Sequence, residues 1–263
     1  MVKILWATTF SKDMWDTTAK HLVESYTATK TPHKLVAYTE GMDLPATDNA
    51  EGHRLEGDPF LAAFLEKNKD VIPADLGGAA KEPFCKCPRG PFKVHDKNHR
   101  LPCVGYWFCK NAYRWLRKVR AANLAAAAHP DYDVLMWVDA DASFLKTVPP
   151  NVVLKWFGRR NGCVYLKNKR TAIETGVVGY HLQRGGRQVL ERMAQRYSSG
   201  KFRKDQRWDD CVQLANGIKA SRGVSTSDLA TKVGNNNTVI QFSPLGEYLG
   251  HDKGSHRRAK ILT

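Results

Sequence analysis

The chain lacks any apolar run near the roughly 20 residues that span a bilayer. It also lacks internal repeats, low-complexity linkers and the paired C-x₂-C spacing common in zinc modules. The opening stretch, MVKILWATTF, carries one lysine and a short apolar segment with no small-residue cleavage site after it. It reads as a first β-strand, not as a signal peptide. These absences argue against a membrane span, a solenoid and a secreted disulfide scaffold. They make the cytoplasm the expected compartment.

Acids are scarce relative to bases. The 263 residues hold 41 Lys and Arg against 26 Asp and Glu, a net charge of +15. Charge on this scale concerns partners and solubility, not fold. It is unevenly placed. Residues 40–75 carry Glu40, Asp43, Asp48, Glu51, Glu56, Asp58, Glu66, Asp70 and Asp75. Residues 85–120 carry ten bases, among them Arg114, Arg117, Lys118 and Arg120, with Asp96 as their only acid. Residues 155–207 are similarly basic. The pattern fits either a solvated basic surface or a polyanionic partner, with nucleic acid first. The six cysteines are expected to be reduced in the absence of a secretion signal. Cys85, Cys87, Cys103 and Cys109, with His95 and His99, offer zinc ligands as the alternative reading.

What is present has the rhythm of an α/β protein. Residues 3–10 (KILWATTF) read as a strand, about 12–27 as a helix, and 34–39 (KLVAYT) as a second strand. Strand, helix, strand with short joints suggests a βαβ unit and a parallel sheet. Residues 41–103 read as a long irregular insertion around a short helix near 59–68. A helix follows over about 104–128, and HPD stops it. YDVLMWV (132–138) is apolar without alternation, as a strand buried on both faces should be. Strands are expected at 162–167, 172–182 and 238–244, and helices at 185–197 and 207–218. One domain with a basic C-terminal tail is the simplest account of the whole.

The segment LMWVDADASFL (135–145) places Asp139 and Asp141 just after that buried strand. Ligands in open α/β sheets bind outside the carboxyl ends of strands. On an extended chain, residues i and i+2 point the same way, so the two carboxylates are positioned to share a cation. Hard divalent ions such as Mg²⁺ and Mn²⁺ favour such oxygen ligands and often bridge to phosphates. A loop cap with two exposed carboxylates is the blander alternative.

In order along the chain stand a βαβ start, a long helix, WVDAD, ETGVVGY, WDD and a late HDKG. This series resembles the GT-A class of nucleotide-sugar glycosyltransferases, and more narrowly the compact enzymes of bacteriophages and large DNA viruses. The resemblance covers nearly the whole chain, but 41–103 has no counterpart in it. It implies a mostly parallel, Rossmann-like sheet with helices on both faces. It further implies metal-dependent transfer of a sugar from a nucleoside diphosphate donor. Under it, Thr8 and Thr9 would border the nucleotide, and Tyr38 and Thr39 would lie near the base. Asp139 would meet the ribose or metal-bound water, and Asp141 the metal. His251 would complete the metal site, which suits Mn²⁺ better than Mg²⁺. Lys253, with Arg257 or Arg258, would hold the diphosphate.

The acceptor hydroxyl must lose a proton, and a positioned carboxylate can take it. Asp209 in RWDD is the first candidate, Asp210 its neighbour, and Glu174 in ETG the second choice. Helix capping is the alternative role for the WDD pair; a retaining reaction, which would not use such a base, stays open beside an inverting one. Basic residues interleaved with Tyr106, Trp107, Tyr113 and Trp115 suggest DNA as the acceptor, with Trp208 as a wall for an unstacked base; core packing is the alternative role for these aromatics. The leading expectation is a hydroxymethylated pyrimidine in phage DNA; a glycan or lipid-linked saccharide is the alternative. A metal-dependent nuclease would want a further Glu/Asp-x-Lys beside DAD, and none is convincing. A non-catalytic DNA-binding module would leave the acid pair at a strand end unexplained.

Overall fold

The computed structural model describes residues 2–69, 111–167, 173–231 and 240–251. Its centre is a seven-stranded sheet in the order β3-β2-β1-β4-β7-β6-β8. The strands are β1 (Ile4–Ser11), β2 (Lys34–Glu40), β3 (Ala50–Arg54), β4 (Val134–Val138), β6 (Cys163–Leu166), β7 (Glu174–His181) and β8 (Thr226–Asp228). Neighbours run parallel except where β7 meets β4 and β6. A separate two-stranded ribbon pairs β5 (Ala142–Phe144) with β9 (Leu249–His251). The expected mixed, mostly parallel α/β sheet is therefore present.

The period of two along each strand divides the core between the faces. Leu5, Ala7, Val36, Leu135, Trp137 and Tyr180 meet the helices Ala112–Ala128, Gly186–Ser198 and Asp210–Ala220 on one side. Ile4, Trp6, Leu35, Val134, Met136 and Val138 meet the helical segment of residues 12–28 and the helix Pro150–Phe157 on the other. Every residue of β4 is buried, as its unbroken apolar run requires. Asn111 caps the long helix by accepting the Arg114 N–H at 3.0 Å. Residues 104–110, where that helix was expected to begin, lie outside the described residues.

Four sequence expectations change. Residues 41–69 are not an irregular insertion throughout, because AEGHR forms β3 on the sheet edge. That strand is half-exposed and has no β-branched residue, so it carries no apolar alternation to read. The late strand expected at 238–244 is replaced, from Ile240 on, by tight 3₁₀ turns at Ile240–Phe242 and Pro244–Glu247. Ser243 caps the second turn and Pro244 opens it, which suits a turn rather than a ladder. The expected 207–218 helix begins at Asp210, with Asp209 as its cap. Finally, β8, β5 and β9 are three residues each, too short for any periodicity to announce them.

The antiparallel strand β7 runs through the densest part of the sheet, and Gly179 makes that possible. A Cβ at this position would lie 2.6 Å from both Phe157 Cζ and Val164 Cγ2, and 2.8 Å from Met136 Sδ. Gly179→Ala should therefore overpack both sheet neighbours and cost about 1–3 kcal/mol. Urea unfolding would register this as a lower midpoint at unchanged slope.

Candidate active site

The reversed direction of β7 builds the site. Parallel strands β1, β2 and β4 deliver their C-terminal residues to one edge of the sheet. Because β7 runs against them, it delivers its first residues there. Glu174 and Thr175 thus arrive beside Thr9, Glu40 and Asp139. The first half of the long helix adds Arg114, Arg117 and Lys118, and the helix start at 209–211 adds Asp209 and Asp210. Together they line a cleft of about 330 Å³.

Asp139 and Asp141 do lie at the end of β4, but not on an extended chain. The Asp139 carbonyl accepts the Ala142 N–H at 3.0 Å, so the chain turns between the two acids. The i, i+2 argument for a shared direction fails here; the turn brings the acids together instead. Oxygen atoms of Asp139 and Asp141 and a ring nitrogen of His251 lie within 4.8 Å of one another. His251 Nε2 is 3.0 Å from Asp141 Oδ1. The β5–β9 ribbon sets that distance by pairing Ala142 with His251. Gly176 gives the imidazole room: a Cβ there would lie 2.9 Å from His251 Cε1.

Asp139 has a different company. Trp137 donates its indole N–H to Asp139 Oδ1 at 2.9 Å. Lys118 Nζ stands 2.6 Å from the same oxygen, 2.7 Å from Asp210 Oδ2, and donates to the Thr175 carbonyl at 2.6 Å. Only 11% of its side chain is exposed. Burial alone would discharge this ammonium, but Asp139 and Asp210 outweigh that cost and hold it well above the usual lysine value. The sequence reading counted Lys118 merely as part of a basic run. Its signal was there in principle, since Arg114 and Lys118 are four apart and share one face of the helix.

The other expected site residues divide. Thr9 reaches the cleft, and its hydroxyl donates to the Tyr38 carbonyl at 2.7 Å. Thr8, Tyr38 and Thr39 are buried and are not part of the cleft wall. Tyr38 stacks on His53 with centroids 5.4 Å apart. Asp209 is 1% exposed and occupied as a cap: Oδ1 accepts the Val212 N–H at 3.1 Å, and Oδ2 accepts from Arg207 Nε. Burial pushes its carboxyl above the ordinary aspartate range, against the pull of Arg207. Glu174 is buried at the cleft wall and accepts the Gly176 N–H at 3.2 Å. Lys253, Arg257, Arg258 and the cysteine-rich 85–109 stretch lie outside the described residues.

The polyanion surface expected of the basic helix is corrected in its described part. Arg117 pairs with Glu40, Arg120 with Asp58 at 2.9 Å, and Lys118 with two acids of the cleft. Two acids of the 40–75 segment, Glu40 and Asp58, thus meet two bases of the helix inside the fold. Trp208 packs edge-on against Phe202 at 5.2 Å, partly buried against the core, which is the alternative to a stacking wall.

No protein-family model and no curated protein sequence matches this chain. Among solved structures, it is similar to the crystal structure of a glycosyltransferase involved in the glycosylation of the major capsid of PBCV-1. The identity is 12% and the TM-score 0.49, with 98% of this chain and 96% of that one covered.

Removing the bridging ammonium should leave two facing carboxylates without the charge between them. Lys118→Met is expected to cost about 2–4 kcal/mol, below the ~3–5 of a fully enclosed pair because Asp139 opens to the cleft. Because the folded-state value of Lys118 is raised, its contribution is complete below the unfolded lysine value and lost only as pH climbs through the folded one. The deficit should therefore be flat between about pH 6 and 9. A deficit under about 1 kcal/mol in urea titrations would show that the bridge is not needed.

Proposed function

We propose that the chain is a single-domain, metal-dependent glycosyltransferase acting on a nucleoside diphosphate sugar. The observation that carries this reading is the convergence of Asp139, Asp141 and His251 at the carboxyl edge of the sheet, beside a cleft of about 330 Å³. Two carboxylates and an imidazole suit a divalent ion of the Mn²⁺ type, and like charges this close favour a cation among them. Asp141 and His251 would hold the ion, with Asp139 shared between it and the donor. When bound, it supplies positive charge where the departing diphosphate gathers negative charge.

The chain's own residues account for the remaining roles. Lys118 fixes Asp139 and Asp210 in one orientation. Thr9 and Glu40, at the cleft wall, would border the nucleotide, and Lys253 would hold the diphosphate. Tyr38 and Thr39 support β2 instead of reading the base. Among the three candidate acids, Asp209 holds the helix start, which leaves Asp210 and Glu174 to accept the acceptor proton. Both line the cleft, and Lys118 ties Asp210 to the donor-side carboxylate.

For the acceptor, the net charge of +15 favours a polyanion, and a hydroxymethylated pyrimidine in DNA is the finer proposal. The internal pairing of Arg117, Lys118 and Arg120 favours a second reading, a glycan or lipid-linked saccharide. Among the described residues no helix is long and apolar enough to cross a membrane.

Nucleotide release from a panel of nucleotide sugars, with Mn²⁺ or chelator, tests the reaction. Turnover should need the metal and fall at least about 100-fold in Asp141→Asn with folding intact. Normal turnover in that variant would remove Asp141 from the site. DNA with and without hydroxymethylated bases separates the acceptors: mass added to nucleosides supports DNA, and identical donor hydrolysis with both excludes it. Cutting of DNA without any donor would identify a nuclease instead.

A further inference from the structure

A second group of ligand-bearing side chains lies apart from the cleft. Glu51 and His53 are two residues apart on β3 and so share one face of the edge strand. His129 caps the C-terminal end of the long helix against them. One ligand atom from each of the three lies within 4.8 Å of the others. Lys118, in the cleft, sits on the same helix eleven residues earlier, so the two sites are separated by roughly 16 Å along its axis.

Each residue is held by an outer contact, as metal ligands usually are. Lys34 Nζ binds Glu51 Oε2 at 2.7 Å, which leaves Oε1 turned to His53 Nε2 at 2.6 Å. Tyr38 stacks on the His53 ring with the planes 26° apart. Tyr132 meets the His129 ring edge-on at 5.4 Å. His129 Nε2 is enclosed and has no hydrogen-bond partner among the described residues. A buried ring nitrogen without a partner is costly unless something else binds it. The helix C-terminus adds partial negative charge at this position and so favours a cation.

We propose that Glu51, His53 and His129 form a second cation site that takes Zn²⁺ and pins the edge strand to the end of the long helix. Two imidazoles and one carboxylate are a borderline set that suits zinc over magnesium or calcium. The ion would join two segments that are 76 residues apart between His53 and His129 and that no strand pairing connects directly. The inference is independent of the reaction assigned to the cleft.

The test uses the full chain carrying Asp141→Asn, which disables the first site, after chelator treatment. Calorimetric titration with ZnSO₄ should show one ion per chain and a rise in Tm. Adding His129→Ala, or separately His53→Ala, should weaken zinc binding at least tenfold and remove the rise in Tm, with circular dichroism unchanged. Cobalt substitution should give visible bands without a near-ultraviolet thiolate band. Unaltered affinity in both histidine variants, no zinc binding at all, or a thiolate band that places the ion on the cysteines would each overturn the proposal.

Discussion

The ammonium of Lys118 is what allows the cleft to exist. Asp139, Asp210 and the Thr175 carbonyl all converge on it, and these belong to three separate elements of the fold. Without a cation at this point, the end of β4, the start of β7 and the helix after Asp209 would present like charges and bare carbonyl dipoles to one another. Desolvating a lysine is expensive, and only two carboxylates at under 3 Å make it favourable. The bridge leaves Asp139 partly open to solvent, with 24% of its side chain exposed, while Asp210 is 2% exposed. Asp139 is therefore the more open of the two acids, and Asp210 the more enclosed.

A wider charge pattern follows the same logic. The acid-rich 40–75 segment and the basic helix look like opposite surfaces in the sequence. In the fold, Glu40 and Asp58 meet Arg117 and Arg120. Such pairs position the helix over β1 and β2, and positioning is their main effect, since partly exposed pairs contribute little net stability. Local charge density along a chain is thus a poor guide to its exterior when complementary blocks are brought together by the topology.

Much of the fold could be read from local pattern. β1, β2, β4 and β7 are long or continuously apolar, and the helices carry clear stops and caps. The elements that escaped were the three-residue strands and β3, whose side chains are half in water and follow no period. At the site, Asp139, Asp141 and His251 were legible by motif order, but the reason for their proximity was not. That reason is a turn and a ribbon, both too short to predict. Asp209 was legible as acid or cap, and its geometry favours the cap. Lys118 and Arg207 were invisible as site residues because their partners lie on other elements. Burial of a lysine depends on what the tertiary fold puts around it.

The contact between His251 and Asp141 closes over 110 residues of chain. Bringing such distant positions together carries a loop-closure penalty, and one that local helix or hairpin formation cannot offset. The ribbon that supports it is only three residues on each side. The Asp139, Asp141 and His251 cluster therefore rests on long-range contacts and not on local structure. The same holds for the sheet centre, where Ile4 pairs with Val134, so the cluster and the sheet beneath it both depend on the complete tertiary structure.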